Sequence, residues 1–197
     1  LTVQSFERKF DPSDPDIQKK VKEFSKTLIQ QIDTMSNIAT AFSSFADMPA
    51  QQNETLNVVK VVKLALEIFN EDYIHFIADE EELVAKLDRT QLIRVITNLV
   101  KNAIQAIPEV ESPRILVTVA TVGDRVKISV ADNGLGIPDE NKHRIFEPKF
   151  TTKSSGTGLG LGMVKNIVEN YGGTITFTSK VGKGTVFTID FPKEQKK

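Results

Sequence analysis

ILVTVATVGDRVKISVADNGLGIP, residues 115 to 138, is the stretch that decides the fold. Branched aliphatic residues alternate with smaller or polar ones over 115–122 and again over 126–132, with Gly123 and Asp124 between the two runs. A period of two puts one side of each run on a core, and a Gly-Asp pair between such runs is turn chemistry, so the stretch reads as a hairpin. TITFTS (174–179) and TVFTIDF (185–191), separated by KVGKG, read as a second hairpin. Helical spacing occupies residues 57–70, 89–107 before Pro108, and about 158–171, and two short β-like stretches lie near 73–78 and 83–87. The whole predicts an α+β, two-layer sandwich: a mixed, largely antiparallel sheet with helices on one face.

Upstream the pattern changes. MPAQQNET (48–55) has a proline, polar amides and no periodicity, and reads as a linker. Asp14, Pro15 and Asp16 have the chemistry of a helix start: a side-chain acceptor, a fixed φ and negative charge near the positive end of the dipole. Ile17, Val21, Phe24, Leu28, Ile32, Met35, Ala39, Phe42 and Phe45 then recur in steps of three and four. So narrow a stripe along a long helix needs a partner. The expectation is a hairpin with the opening segment LTVQSFERKF, doubled into a four-helix bundle by a second copy.

Composition removes several function classes. There are 25 Lys plus Arg against 26 Asp plus Glu, so no basic excess marks a nucleic-acid binder and an anionic ligand has to be held locally. Zero cysteines exclude disulfides, thiolate nucleophiles and Cys-based zinc sites. Only His75 and His143 supply imidazole. No apolar run approaches the roughly 20 residues that span a bilayer, so no membrane contact is expected within the chain, and a cytoplasmic location is expected for it.

Three stretches carry chemistry. Arg94, Asn98, Asn102 and Gln105 form one polar stripe on the helix 89–107, opposite Val95, Ile96, Leu99, Ala103 and Ile107. Carboxamides there offer neutral oxygens to a hard cation and hydrogen bonds to phosphate without adding negative charge, although a solvated face would look the same. In ADNGLGIP (131–138), Gly134 and Gly136 allow close backbone approach, and Asp132 can accept from an exocyclic amino group at the floor of a cleft; a plain strand-to-helix turn is the other reading. In SSGTGLGLGMVKNIVENYGG (154–173), alternating Gly156, Gly158, Gly160 and Gly162 run into a helix whose first N–H groups make an anion site, or else form a mobile lid. Neither a P-loop nor a Rossmann fingerprint occurs. FEPKFTTK (146–153) precedes it, with Lys149 and Lys153 as candidate phosphate cations and Phe146 and Phe150 as anchors for a lid.

In this order, NLVKNAIQA, DNGLGIP, FEPKFTTK and GTGLGLGMVKNIVE resemble the asparagine, first glycine, phenylalanine and second glycine boxes of the GHKL superfamily, and within it the sensor histidine kinases of two-component systems. GKGTVFTIDFP resembles the closing strand of these domains, and ERKF (7–10) is similar to the nitrogen-regulation subgroup. The resemblance covers about residues 56–197. It implies ATP bound in the Bergerat manner, with Mg²⁺ coordinated by Asn102 and with Asn98 and Gln105 beside the phosphates. Asp132 would accept from the adenine amino group, Gly134, Gly136 and Ile137 would shape the base pocket, and Thr185 would approach the adenine. Lys153, Thr157 and the backbone of Gly158, Leu159, Gly160 and Leu161 would face the phosphates. Phe150, Thr152 and Gly156 would complete the nucleotide contacts, with Asn98 and Lys153 acting in catalysis. Residues 1–55 would be part of a dimerisation and phosphoacceptor hairpin with its linker, and a response-regulator receiver domain the partner.

Two departures are informative. Superfamily members that hydrolyse ATP carry a glutamate four residues before the magnesium asparagine, where this chain has Asn98, which cannot accept a proton at neutral pH. That suits a kinase over a gyrase-like ATPase. The family's phosphoacceptor motif does not occur in the chain: neither His75, in a strand, nor His143, between two boxes, has its context, and both are expected to be ordinary histidines. The substrate histidine is expected just before Leu1. A non-catalytic nucleotide-binding or docking module is the remaining alternative.

Overall fold

The computed structural model describes residues 6, 8, 10–46, 52–107, 111–148, 150, 151 and 158–194. The chain divides into two compact units, one built around a long helix and the other holding every remaining element.

In the first unit, α1 spans Ile17–Ala46. It starts where the Asp-Pro-Asp chemistry placed it: the Asp14 carboxylate accepts from the N–H of Asp16 at 2.9 Å, and the Asp14 carbonyl accepts from that of Ile17 at 2.9 Å. Phe6, in the opening segment, stacks on Phe24 of α1 with ring centroids 4.0 Å apart and planes 2° from parallel. Elsewhere on α1 apolar side chains stand open: Val21, Ile32 and Met35 of the stripe and the neighbouring Ile29 are 38%, 63%, 72% and 60% exposed, while the side chains of Ala39, Phe42 and Phe45 lie outside the described ones.

The second unit is the expected α+β sandwich. Its elements are β1 (Glu54–Asn57), α2 (Val58–Leu66), β2 (Ile74–Ala78), β3 (Val84–Leu87), α3 (Arg89–Gln105), β4 (Ile115–Val122), β5 (Arg125–Asp132), the short α4 (Asp139–Lys142), α5 (Gly160–Asn170), β6 (Thr174–Lys180) and β7 (Gly184–Pro192). Five strands form one sheet in the order β2-β4-β5-β7-β6, parallel only between β2 and β4. Both hairpins stand as the alternation predicted.

The reading of 48–55 as linker needs correction. Glu54 and Thr55 belong to β1, which pairs antiparallel with β3 in a separate two-stranded sheet. A four-residue strand with polar ends gives no alternation long enough to detect. The first helix of this unit is also shorter than 57–70, because Asn57 caps it, accepting from Val59 N–H at 3.0 Å, and it ends at Leu66.

Helices α2, α3 and α5 cover one sheet face. Val59, Val62, Val95, Ile96, Leu99, Val164 and Val168 from the helices meet Ile115, Val117, Val119, Val126, Ile128, Val130, Ile189 and Phe191 from the strands, all buried. Each large aliphatic buried this way contributes about 1.5–3 kcal/mol. Asp88 starts α3 by accepting from Thr90 N–H at 2.8 Å and Gln91 N–H at 3.1 Å. Burial of Leu92, Val95, Ile96, Leu99, Val100 and Ala103 turns the apolar side of the helix inward and leaves the carboxamide stripe on the flank.

Candidate functional site

Period-two geometry writes a boundary across the inner sheet face. Phe177 of β6, Phe187 of β7, Val130 of β5 and Val117 of β4 are register partners in an apolar row. Two residues further along, the row becomes Ser179, Thr185, Asp132 and Ile115. Three adjacent strands thus turn polar together at the end of the sheet where the 133–138 loop departs. Thr185 is 4% exposed, the one buried polar residue among those described.

Asp132 organises that corner. Its Oδ1 accepts from the N–H of Gly134 at 2.9 Å and from that of Thr185 at 3.2 Å. The loop then passes under the end of α3, where Leu135 N–H donates to Ala106 O at 2.9 Å. A Cβ on Gly134 would lie 2.6 Å from the Ala106 carbonyl carbon and 2.9 Å from its Cβ, so only glycine fits there. Gly136 has φ +72°, and Ile137 N–H donates to Ser179 Oγ at 2.8 Å. Asn133 closes the other side, its carboxamide accepting from Arg114 N–H and donating to Ser112 O, both at 2.8 Å.

The second wall is α3 against α5. Asn98 Nδ2 donates to Arg94 O at 2.8 Å, which turns Oδ1 toward Gly160, where a built Cβ would be 3.0 Å away. The carboxamide stripe and the glycine run therefore meet. Asn98 and Asn102 are half-buried and Gln105 is exposed. Leu159 precedes α5 and offers no capping side chain, so the opening turn presents backbone N–H groups at the positive end of the helix dipole. Phe146 is fixed edge-on against Phe177 at 5.9 Å, and its carbonyl would be 3.3 Å from a Cβ on Gly162. Phe150 lies under the Arg144 guanidinium, 4.6 Å from ring centroid to Cζ.

Of the residues singled out in the sequence, Asn98, Gly158, Leu159, Gly160 and Leu161 gather on the helix side, with Asn102 and Gln105 further along α3. Asp132, Gly134, Gly136, Ile137 and Thr185 gather at the sheet end. Thr152, Lys153, Gly156 and Thr157 lie outside the described residues, as does Lys149. His75 and His143 are both exposed. Sequence reasoning missed Ser179 and Asn133. The alternation Ile175, Phe177, Ser179 was the available signal for the first; Asn133 had none beyond its place in the box.

The arrangement can hold a planar base against a carboxylate and hydroxyls at one end and an anion at an uncapped helix start at the other. The family described as histidine kinase-, DNA gyrase B-, and HSP90-like ATPase matches residues 87–195. The nitrogen regulation protein NtrY of Azorhizobium caulinodans is 31% identical over 183 residues, covering 89% of this chain and 24% of that protein. The catalytic domain of histidine kinase ThkA, in a nucleotide-free form, is 35% identical with a TM-score of 0.65, covering 72% of this chain and 96% of that one. ThkA in complex with the response regulator protein TrrA is 26% identical with a TM-score of 0.74, over 98% of this chain and 55% of that one. The chain spans about a quarter to two-fifths of the curated relatives it matches.

Proposed function

Because this chain belongs to the histidine kinase-, DNA gyrase B- and HSP90-like ATPase family, and within it to the sensor histidine kinases, we propose that it binds Mg·ATP and hands the γ-phosphoryl group to a histidine other than His75 and His143. The approach of Asn98 to Gly160 carries the reading, since it brings the carboxamide helix and the glycine-opened helix to one place.

In this reading Asp132 takes the adenine amino group, Gly134, Gly136 and Ile137 shape the base pocket, and Thr185 meets the ring edge. The N–H groups at the start of α5 take phosphate oxygens, supported by the absence of a capping side chain at Leu159. By the resemblance alone, Thr152, Lys153, Gly156 and Thr157, which lie outside the described residues, would act on the phosphates together with Phe150. The donor set suits a magnesium ion: Asn102 offers a neutral carboxamide oxygen from a half-buried position, with Asn98 and Gln105 on the same helix stripe. When bound, Mg²⁺ neutralises charge building on the phosphates.

The imidazole nitrogen of the acceptor attacks the γ-phosphorus, the bond to the β-phosphate oxygen breaks, and ADP leaves. Asn98 and Lys153 would stabilise the transferring group, while Asn98, having no basic oxygen, would leave water unactivated. That weighs against the gyrase-like alternative. From the histidine the group would pass to an aspartate of a response-regulator receiver domain, the kind of partner ThkA is seen with. The exposed apolar side chains of Val21, Ile29, Ile32 and Met35 support pairing of α1 with a second copy, and residues 1–55 would form part of the dimerisation hairpin. Among the described residues no helix is long and apolar enough to cross a membrane. The reading puts the chain in the cytoplasm, where ATP and receiver domains meet.

Incubation with γ-labelled ATP and a separate histidine-bearing helical hairpin tests this. Acid-labile label on the hairpin is the expected result. Free phosphate without a labelled hairpin would point to an ATPase, and ATP binding without either product to a docking module.

A further inference from the structure

Ser179 is the hub of the polar row, and no box contains it. Its register partner is Thr185, whose own partner on the other side is Asp132. Its Oγ accepts the N–H of Ile137 at 2.8 Å, donates toward Gly184 O at 3.1 Å, and lies 2.9 Å from Thr185 Oγ1. One hydroxyl thereby joins the loop after β5, the start of β7 and the end of β6.

A serine hydroxyl has one proton and two lone pairs. With one lone pair taken by Ile137, two arrangements remain. If the Ser179 proton goes to Gly184 O, Thr185 donates to Ser179 and presents only lone pairs elsewhere. If it goes to Thr185 Oγ1, the Thr185 proton is turned away from Ser179 and can meet an acceptor in the pocket. A ring nitrogen of a 6-aminopurine is an acceptor and selects the second arrangement; the N1–H of a 6-oxopurine is a donor and selects the first.

Resting on the nucleotide reading above, we propose that Ser179 is a positioning residue for base recognition: it sets the direction of the Thr185 hydroxyl and holds Ile137 in register, so the pocket favours a 6-aminopurine. Its action is confined to the base end. Asn98 and Gly160 belong to other elements and have no hydrogen bond to it among the described residues.

Calorimetric titration of the full chain with Mg·ATP, Mg·ITP and inorganic tripolyphosphate, in the parent, Ser179→Ala, Ser179→Cys and Ser179→Thr, tests this. The Ala and Cys variants, which lack a good acceptor for Ile137, should bind ATP about 5- to 20-fold more weakly. Their ATP-to-ITP preference should fall with tripolyphosphate binding unchanged, and Tm should drop in Ala and Cys but not in Thr, because only Thr keeps a hydroxyl for Ile137, Gly184 and Thr185. Ser179→Thr, which keeps the hydroxyl, should restore ATP affinity to within about threefold. Unaltered ATP affinity and preference in Ala and Cys would overturn the inference. So would a loss that falls equally on tripolyphosphate and is accompanied by a lower Tm in all three variants, since that is a purely structural role. Failure of the parent itself to bind ATP would instead remove the nucleotide reading on which the inference rests.

Discussion

Asn98 Oδ1 sits where a methyl group on Gly160 would be 3.0 Å away, although the two residues are 62 positions apart and on different helices. The amide end of Asn98 is held by Arg94 O, so the oxygen cannot swing aside without losing that bond. Gly160→Ala should therefore push Asn98 out of place while leaving stability within about 1 kcal/mol, because alanine also improves helix propensity by roughly that amount. Mg·ATP affinity should fall about fivefold by titration. Unchanged affinity would mean that Asn98 is not beside the phosphates.

Gly134→Ala is expected to behave differently. The new methyl would meet backbone, the Ala106 carbonyl carbon at 2.6 Å, and break the Leu135-to-Ala106 hydrogen bond. Overpacking against main chain and a lost hydrogen bond together should cost at least about 2 kcal/mol in denaturant unfolding. A variant as stable as the parent would contradict the close packing of this loop under α3.

Asp132 has a structural task and a proposed recognition task, which two variants separate. Asp132→Ala removes the acceptor for both Gly134 N–H and Thr185 N–H, so stability and adenine affinity should both fall, the latter by about 1–3 kcal/mol. Asp132→Asn keeps an oxygen for those two donors and should stay within about 1 kcal/mol of the parent in unfolding while still losing ATP affinity. Full ATP affinity in Asp132→Ala would remove the base pocket from this corner.

Asn102→Ala should abolish the part of nucleotide affinity that depends on magnesium and leave adenosine binding largely intact. Titrations of ATP with and without excess EDTA decide this: a parent-like metal dependence in the variant would count against Asn102 as ligand.

The pH dependence of stability has one partly buried carboxylate at its centre. Burial tends to raise the Asp190 pKa, but hydrogen bonds from Thr174 Oγ1 at 2.7 Å and Arg125 Nε at 2.6 Å, with the arginine charge, hold it below the ordinary value of 3.8. A depressed folded pKa means that its stabilisation is fully present above the unfolded value and is lost as pH falls below about 4 toward the folded value. Thermal melts of the parent should therefore steepen in their decline below pH 4. Asp190→Asn, destabilised by about 1–3 kcal/mol at pH 7, should show a shallower decline. Parallel curves for the two proteins would refute this assignment.

What the sequence by itself determined is local. Period two named both hairpins and the face each strand buries, period 3.6 named α1, α3 and α5, and the order of the four boxes named the superfamily. Glu54–Asn57 escaped because a short strand is defined by its partner β3 and carries no pattern of its own. The tertiary structure alone decided which local features meet. Alternation tells that Asp132 and Ser179 face inward, but only the pairing register, set by non-local hydrogen bonds, puts Thr185 between them. In the same way a carboxamide stripe on α3 is merely a polar face until the packing of α3 and α5 on one sheet brings Asn98 to Gly160.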